Sequence, residues 1–352
     1  MLLKVNSMQP EKDIIRQAAE VIRRGGLVAF PTETVYGLGA DALNEEAVAR
    51  IFVAKERPAD DPLIVHIARI EDLRRVARRD LPPQVHALSQ VFWPGPLTLV
   101  LPRAEAVPAS VTAGLDTVAV RMPGHPVALA LIRAAGTPIA APSANLFSRP
   151  SSTTAGHVRE DLGERVDLIL DGGPTLIGLE STVLDLSGER PTILRPGGIS
   201  REALGLVLEE IAVDVGARRQ EREEGGFPSP GLMEKHYSPR AELILFRGAE
   251  QEMLAAMKER LGELLAAGKK VGLLVAYENR EFFADDAAII EALGPQDNLG
   301  YIATRLFAAI RTLDAQRVEV ILARGFGTMG LGLAIEDRLT KAASGRVVEA
   351  HY

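Results

Sequence analysis

One interruption constrains this chain more than any other feature. From Val213 to Pro239 the patterned sequence gives way to a charged run, Ala217-Arg-Arg-Gln-Glu-Arg-Glu-Glu-Gly-Gly226, and then to Phe227-Pro-Ser-Pro-Gly-Leu-Met-Glu-Lys-His-Tyr-Ser-Pro239. Prolines deny the backbone a helix interior or a central strand, and a charged, glycine-bearing run buries too little to fold alone. The stretch reads as an extended linker. At 352 residues the chain also exceeds what one hydrophobic core usually organises. We therefore expect one domain over residues 1–212, a linker over 213–240 and a second domain over 241–352.

The patterns on either side of the linker differ. Before it, short apolar runs alternate with amphipathic stretches and many Pro and Gly breaks, a mixed α/β signature. Helices are expected over Ile14–Arg24, closed by Gly25-Gly26, and over Glu45–Ala54. Strands are expected at Leu27–Phe30, Leu63–Ile67, Leu97–Leu101, Val118–Met122, Ile139–Ala141, Leu168–Asp171, Thr182–Leu186 and Thr192–Arg195. After the linker the alternation is regular: strand 242–246, helix 251–267, strand 270–276, helix 298–313, strand 318–323 and helix 331–343. That order predicts an open α/β sheet with helices on its faces.

Composition removes several functions. No run of about eighteen apolar residues offers a membrane span, and residues 1–10 lack the order of a signal peptide, so a cytoplasmic location is expected. The absence of cysteine rules out thiolate nucleophiles, disulfides and cysteine zinc sites. Six scattered histidines give no paired metal-ligand spacing. A formal charge of -7 argues against wholesale binding of nucleic acid, and no stable DNA binding is expected.

Four segments of the first domain carry functional groups that packing does not require. Pro31-Thr-Glu-Thr-Val-Tyr-Gly-Leu-Gly39 sets hydroxyls and flexible backbone after a strand; a turn with capping hydroxyls would look the same. Lys55-Glu-Arg57 precedes Asp61, Pro62 and the strand ending in His66. In an extended segment Lys55 and Arg57 would point to one side and suit a polyphosphate, although a solvated charge run remains an alternative. Small residues flank Ser143 and Asn145 in Ala141-Pro-Ser-Ala-Asn145, where a ligand could approach the backbone. The fourth combines Gly178-Leu-Glu-Ser-Thr-Val183 with Ile193-Leu-Arg-Pro-Gly-Gly198, each at the end of a strand; arginines at strand ends, Arg121 and Arg195, suit bidentate capture of carboxylate or phosphate, or plain ion pairs.

Taken together, K-x-R (55–57) with S-x-N (143–145), P-T-E-T-V-Y-G-L, P-L-I-V-H, W-P-G-P-L-T, R-x-P, A-P-S-A-N, E-S-T-V and L-R-P-G resemble the YrdC-type threonylcarbamoyl-AMP synthases. The resemblance runs through nearly all of residues 10–200. The segment Ser229–Pro239 is similar to the linker of the long, two-domain form of that family.

The resemblance implies a twisted α/β domain with a concave cavity and a smaller C-terminal Rossmann-like α/β domain. It implies an enzyme that makes threonylcarbamoyl-AMP and pyrophosphate from L-threonine, bicarbonate and ATP, for use by the tRNA threonylcarbamoyl-transferase machinery. Lys55, Arg57, Ser143 and Asn145 match the family's catalytic tetrad. Asp61, Thr117, Ser151, Arg195 and Tyr237 join the implied ATP side, and Thr34, His66, Arg121, Ala141 and Ser181 the implied threonine side. Magnesium is expected with ATP, and no carboxylate pair announces itself as its ligand.

Other readings compete. Gly325-Phe-Gly327-Thr-Met-Gly330 is formally G-x-G-x-x-G between a strand and a helix, with Glu349 about twenty residues on. It reads either as a dinucleotide loop or as glycines packing helix on sheet. A basic concave face could hold RNA, but aromatic residues are scarce at 5%. Carbamoyl transfer in hydrogenase maturation uses related domains with cysteine-rich zinc modules, which this chain lacks.

Overall fold

The computed structural model describes residues 1–214 and 236–350, in two compact units. The first unit comprises Met1–Phe147, Ser151–Leu176 and the described chain from Glu180 to Asp214; the second holds Ser148–Pro150, Ile177–Leu179 and the described chain from His236. Of the expected linker, residues 215–235 lie outside the described residues.

In the first unit the strands are β1 (Leu2–Lys4), β2 (Val28–Phe30), β3 (Gly37–Asp41), β4 (Ile64–His66), β5 (Leu97–Pro102), β6 (Thr117–Arg121), β7 (Ile139–Ala140), β8 (Leu168–Asp171), β9 (Thr182–Asp185), β10 (Thr192–Arg195) and β11 (Ala212–Val213). They form one eleven-stranded mixed sheet in the order β1-β8-β2-β3-β7-β4-β6-β5-β9-β10-β11. The helices are α1 (Lys12–Arg23), α2 (Glu45–Lys55), α3 (Leu73–Val76), α4 (Gln84–Phe92), α5 (Ala109–Thr112), α6 (Pro126–Ala135), α7 (Ala155–Leu162) and α8 (Arg201–Leu204).

Side-chain alternation assigns the two faces. Val28 and Phe30 of β2, with Leu168 and Leu170 of β8, pack under Ala18, Ile22, Val127 and Leu131 of α1 and α6. The intervening Ala29 and Ile169 enter the opposite core with Val48 and Ile51 of α2. A period of two puts neighbours on opposite faces, so the sheet is buried on both sides.

The sequence segment read as a turn, Pro31–Gly39, ends in β3, which pairs antiparallel with both β2 and β7. Gly39 allows this because a Cβ there would lie 2.7 Å from the Phe30 ring and 2.8 Å from Ile139. A strand this poor in side chains shows no hydrophobic alternation to read.

The second unit contains β12 (Glu242–Gly248), α9 (Glu250–Ala266), β13 (Val271–Val275), β14 (Ile289–Ala292), α10 (Leu299–Ala315), β15 (Val320–Arg324), α11 (Gly332–Ala343) and β16 (Val347–Ala350). Its sheet runs β14-β13-β15-β12-β16, and all four pairings are parallel. Consecutive residues Leu243 to Phe246 are all buried, as a parallel strand covered on both faces requires. This is the open α/β sheet expected from the alternation.

Candidate active site

The motif residues of the first unit gather at the ends of α2, β4, β6, β9 and β10. Asn44 starts α2 by accepting the Ala47 N–H at 3.1 Å, and Glu45 and Glu46 in the first turn oppose Lys55 in the last. Glu56 then takes a left-handed conformation, φ 55°. Lys55 is therefore helical, and the expectation that Lys55 and Arg57 share one side of an extended segment is corrected. The left-handed residue, not a strand, turns Arg57 back toward Lys55.

Lys55 is buried, and its ammonium donates to the carbonyls of Ser143 and Asn145. Burial first, then the adjacent Arg57, pushes its pKa well below the ordinary lysine value, with Asp61 and Asp161 opposing. Arg57 donates to the carbonyls of Asp61 at 3.1 Å and Pro62 at 2.8 Å, and pairs with the Asp61 carboxylate at 2.8 Å. Burial raises the Asp61 pKa, against the pull of Arg57, Lys55 and Arg195. These groups form one electrostatic cluster.

Arg195, closing β10, donates to the Ser181 carbonyl at 2.9 Å and to its hydroxyl at 3.2 Å. Ser143 is half-buried, while Asn145 and Ser151 are buried. The Asn145 side-chain amide donates to the Leu146 carbonyl at 2.8 Å, and the Ser151 hydroxyl donates to the Glu180 carboxylate. Thr117 opens β6, two residues before Ala119, the Cα partner of Ile64. Thr117 is thus at the opposite end of β6 from Arg121.

A second cluster forms around Arg121, the last residue of β6. Its guanidinium donates to the Thr34 hydroxyl at 2.9 Å, the Glu33 carboxylate at 2.5 Å and the Gly95 carbonyl at 3.2 Å. Thr34 Oγ1 lies 2.8 Å from Thr32 Oγ1. His66 is the Cα partner of Arg121 across parallel β4 and β6. Burial, then Arg121, lowers the His66 pKa to about 3, so the ring is neutral. Its Nδ1 is buried without a hydrogen bond. Ala141 hydrogen-bonds the Ile64 carbonyl through its N–H at 2.9 Å.

The clusters meet through a hydroxyl pair. Thr98 Oγ1 lies 2.7 Å from Ser181 Oγ, and Thr98 is the Cα partner of Arg121 across β5 and β6. The arrangement can neutralise an extended anion along Lys55, Arg57 and Arg195, and bind a smaller polar molecule beside Arg121. Among the described residues, no group of three or more His, Asp or Glu side chains is placed to hold a metal ion.

Four residues that lie inside the quoted motifs were given no role of their own from sequence: Thr32, Glu33, Thr98 and Glu180. Glu33 stands inside the P-T-E-T motif, the signal that could have found it. Thr98 closes the W-P-G-P-L-T motif, but its role depends on pairings to β6 and to Ser181.

Tyr237 lies in the second unit, with φ 59°. Its ring centroid is 5.3 Å from that of Phe307 and 5.1 Å from the Arg338 guanidinium. In the glycine-rich loop of the same unit, the Phe326 N–H donates to Glu336 at 2.7 Å. A Cβ at Gly325 would lie 2.6 Å from that carboxylate, and one at Gly332 2.5 Å from the Gly327 carbonyl. An internal carboxylate stands where a dinucleotide would bring its pyrophosphate, which favours the packing reading of the loop.

Comparison with known proteins now identifies relatives. A family model described as "Telomere recombination" matches residues 20–197, and one described as "Threonylcarbamoyl-AMP synthase, C-terminal domain" matches residues 199–344. The threonylcarbamoyl-AMP synthase of Pyrococcus abyssi is 47% identical over 337 residues, covering 95% of each chain. That of Bacillus subtilis is 46% identical over 335 residues, 95% of this chain and 94% of the relative. The crystal structure of Pyrococcus abyssi Sua5 complexed with L-threonine matches with a TM-score of 0.93 at 46% identity, over 100% of both chains.

Proposed function

The chain belongs to the threonylcarbamoyl-AMP synthase family, and from that premise we propose that it converts L-threonine, bicarbonate and ATP to threonylcarbamoyl-AMP, pyrophosphate and water. The threonine amine attacks bicarbonate, a C–N bond forms and water leaves. An oxygen of the resulting carbamate then attacks the α-phosphorus of ATP and displaces pyrophosphate.

The observation that carries this reading is the division of the site into two charge clusters. ATP's phosphates belong with Lys55, Arg57 and Arg195, backed by Ser143, Asn145 and Ser151, with Asp61 and Thr117 at the same end. Threonine belongs with Thr34, His66, Arg121, Ala141 and Ser181. A buried Lys55 is shielded from bulk water, so its attraction concentrates on an arriving anion. Adenylyl transfer needs charge neutralisation and in-line positioning more than a covalent protein group, and the cations of the first cluster suit the former.

Magnesium would arrive with ATP and would offset its phosphate charge; Asp61, a carboxylate of that cluster, is already engaged by Arg57. The released adenylate serves a tRNA-modifying transferase. Omitting threonine, bicarbonate and ATP in turn from a pyrophosphate-release assay tests the reaction. The account requires release to depend on all three, and release without threonine would contradict it.

A further inference from the structure

The arginine at the amino-acid end is handled differently from the cations at the nucleotide end. Glu33 is buried in the first unit and meets Arg121 at 2.5 Å, in a one-to-one pair whose side chains are 10% and 4% exposed. The second carboxylate oxygen of Glu33 is buried and has no hydrogen-bond partner. An acid held this way, with half its acceptors unused, is retained for its charge rather than for a saturated network. At the other end Lys55, Arg57 and Arg195 act together on Asp61, whose own pKa burial raises.

We infer that Glu33 is the specificity-determining residue of the amino-acid end: by neutralising and orienting Arg121 it makes that end select, among the molecules that enter it, a zwitterion over a simple carboxylate. A zwitterionic amino acid brings no net charge to a neutral pair. A simple carboxylate brings one buried negative charge that the Arg121–Glu33 pair leaves uncompensated, and burial of an unpaired charge is costly. The hydrogen bonds from Arg121 to the Thr34 hydroxyl and the Gly95 carbonyl help to keep its guanidinium in place when Glu33 is altered. The inference rests on the assignment of Arg121 to threonine.

The test is calorimetric titration of the full chain, without nucleotide, using L-threonine and 3-hydroxybutyrate, which is threonine without its amine. The unsubstituted protein should prefer threonine by about tenfold or more, the scale of one charged contact. In Glu33→Gln, nearly the same shape without the charge, that preference should collapse toward unity or reverse, while affinity for MgATP stays within about twofold. Equal affinity of the unsubstituted protein for both ligands overturns the inference without any variant. So does a Glu33→Gln protein that keeps the same ratio. Binding of neither ligand by the unsubstituted protein instead removes the threonine assignment beneath it.

Discussion

Thr98 and Ser181, 83 residues apart in sequence, share a hydroxyl hydrogen bond of 2.7 Å that joins the two halves of the site. On one side Ser181 receives Arg195; on the other Thr98 stands in register with Arg121. In the proposed reaction, a carbamate formed at the Arg121 end would have a short route to phosphates held at the Arg195 end. Positioning of this kind is what joining two substrates demands of a protein that takes no covalent part.

Lys55→Met tests the division of labour. It removes a cation from the nucleotide end while keeping an unbranched side chain in a fully buried position. Pyrophosphate release should fall about a hundredfold or more, as loss of one preorganised donor does elsewhere. Threonine affinity, measured by calorimetry without ATP, should change by less than about twofold. A comparable loss in threonine affinity would show that the two ends are not separate.

His66 gives the protein a defined acid sensitivity. Its folded pKa is about 3, against an unfolded value near 6.5, so between these limits the unfolded chain binds the proton and the folded one does not. Its contribution to stability is therefore full above about pH 6.5 and is lost as pH falls toward 3, by up to about 1.4 kcal/mol per pH unit. Thermal midpoints measured from pH 7 to pH 4.5 should fall less steeply in His66→Asn than in the unsubstituted protein. Parallel slopes would assign the acid sensitivity to other groups.

The glycine-rich loop of the second unit makes a third prediction. With the Phe326 amide committed to Glu336, NAD and NADP should leave the unfolding midpoint unchanged at millimolar concentration. A rise of several degrees would mean that Glu336 yields to a pyrophosphate.

What could be read from sequence follows the range of the interactions involved. Arg121 and Arg195 were identifiable because strand ends are local features, and the structure does put each at the last position of its strand. The regular alternation after residue 240 likewise announced the parallel sheet. Lys55 and Arg57 were identifiable as a pair, but their geometry was not. A left-handed Glu56 is not among the residue types that signal such a conformation.

The roles of Glu33, Thr98 and Glu180 were not legible because their partners Arg121, Ser181 and Ser151 lie 88, 83 and 29 residues away. Strand β14 escaped as a half-buried edge strand with no alternation. The packing of Tyr237 on Phe307 and Arg338 within the second unit is a pairing that no spacing rule contains.

The most direct test of the central claim is the mass of the nucleotide product. The full chain should be incubated with MgATP, L-threonine and 13C-bicarbonate, and the adenylates resolved by mass spectrometry. The account predicts threonylcarbamoyl-AMP carrying the 13C label, with pyrophosphate released in equal amount. AMP alone, or a threonyl adenylate without the label, would contradict it.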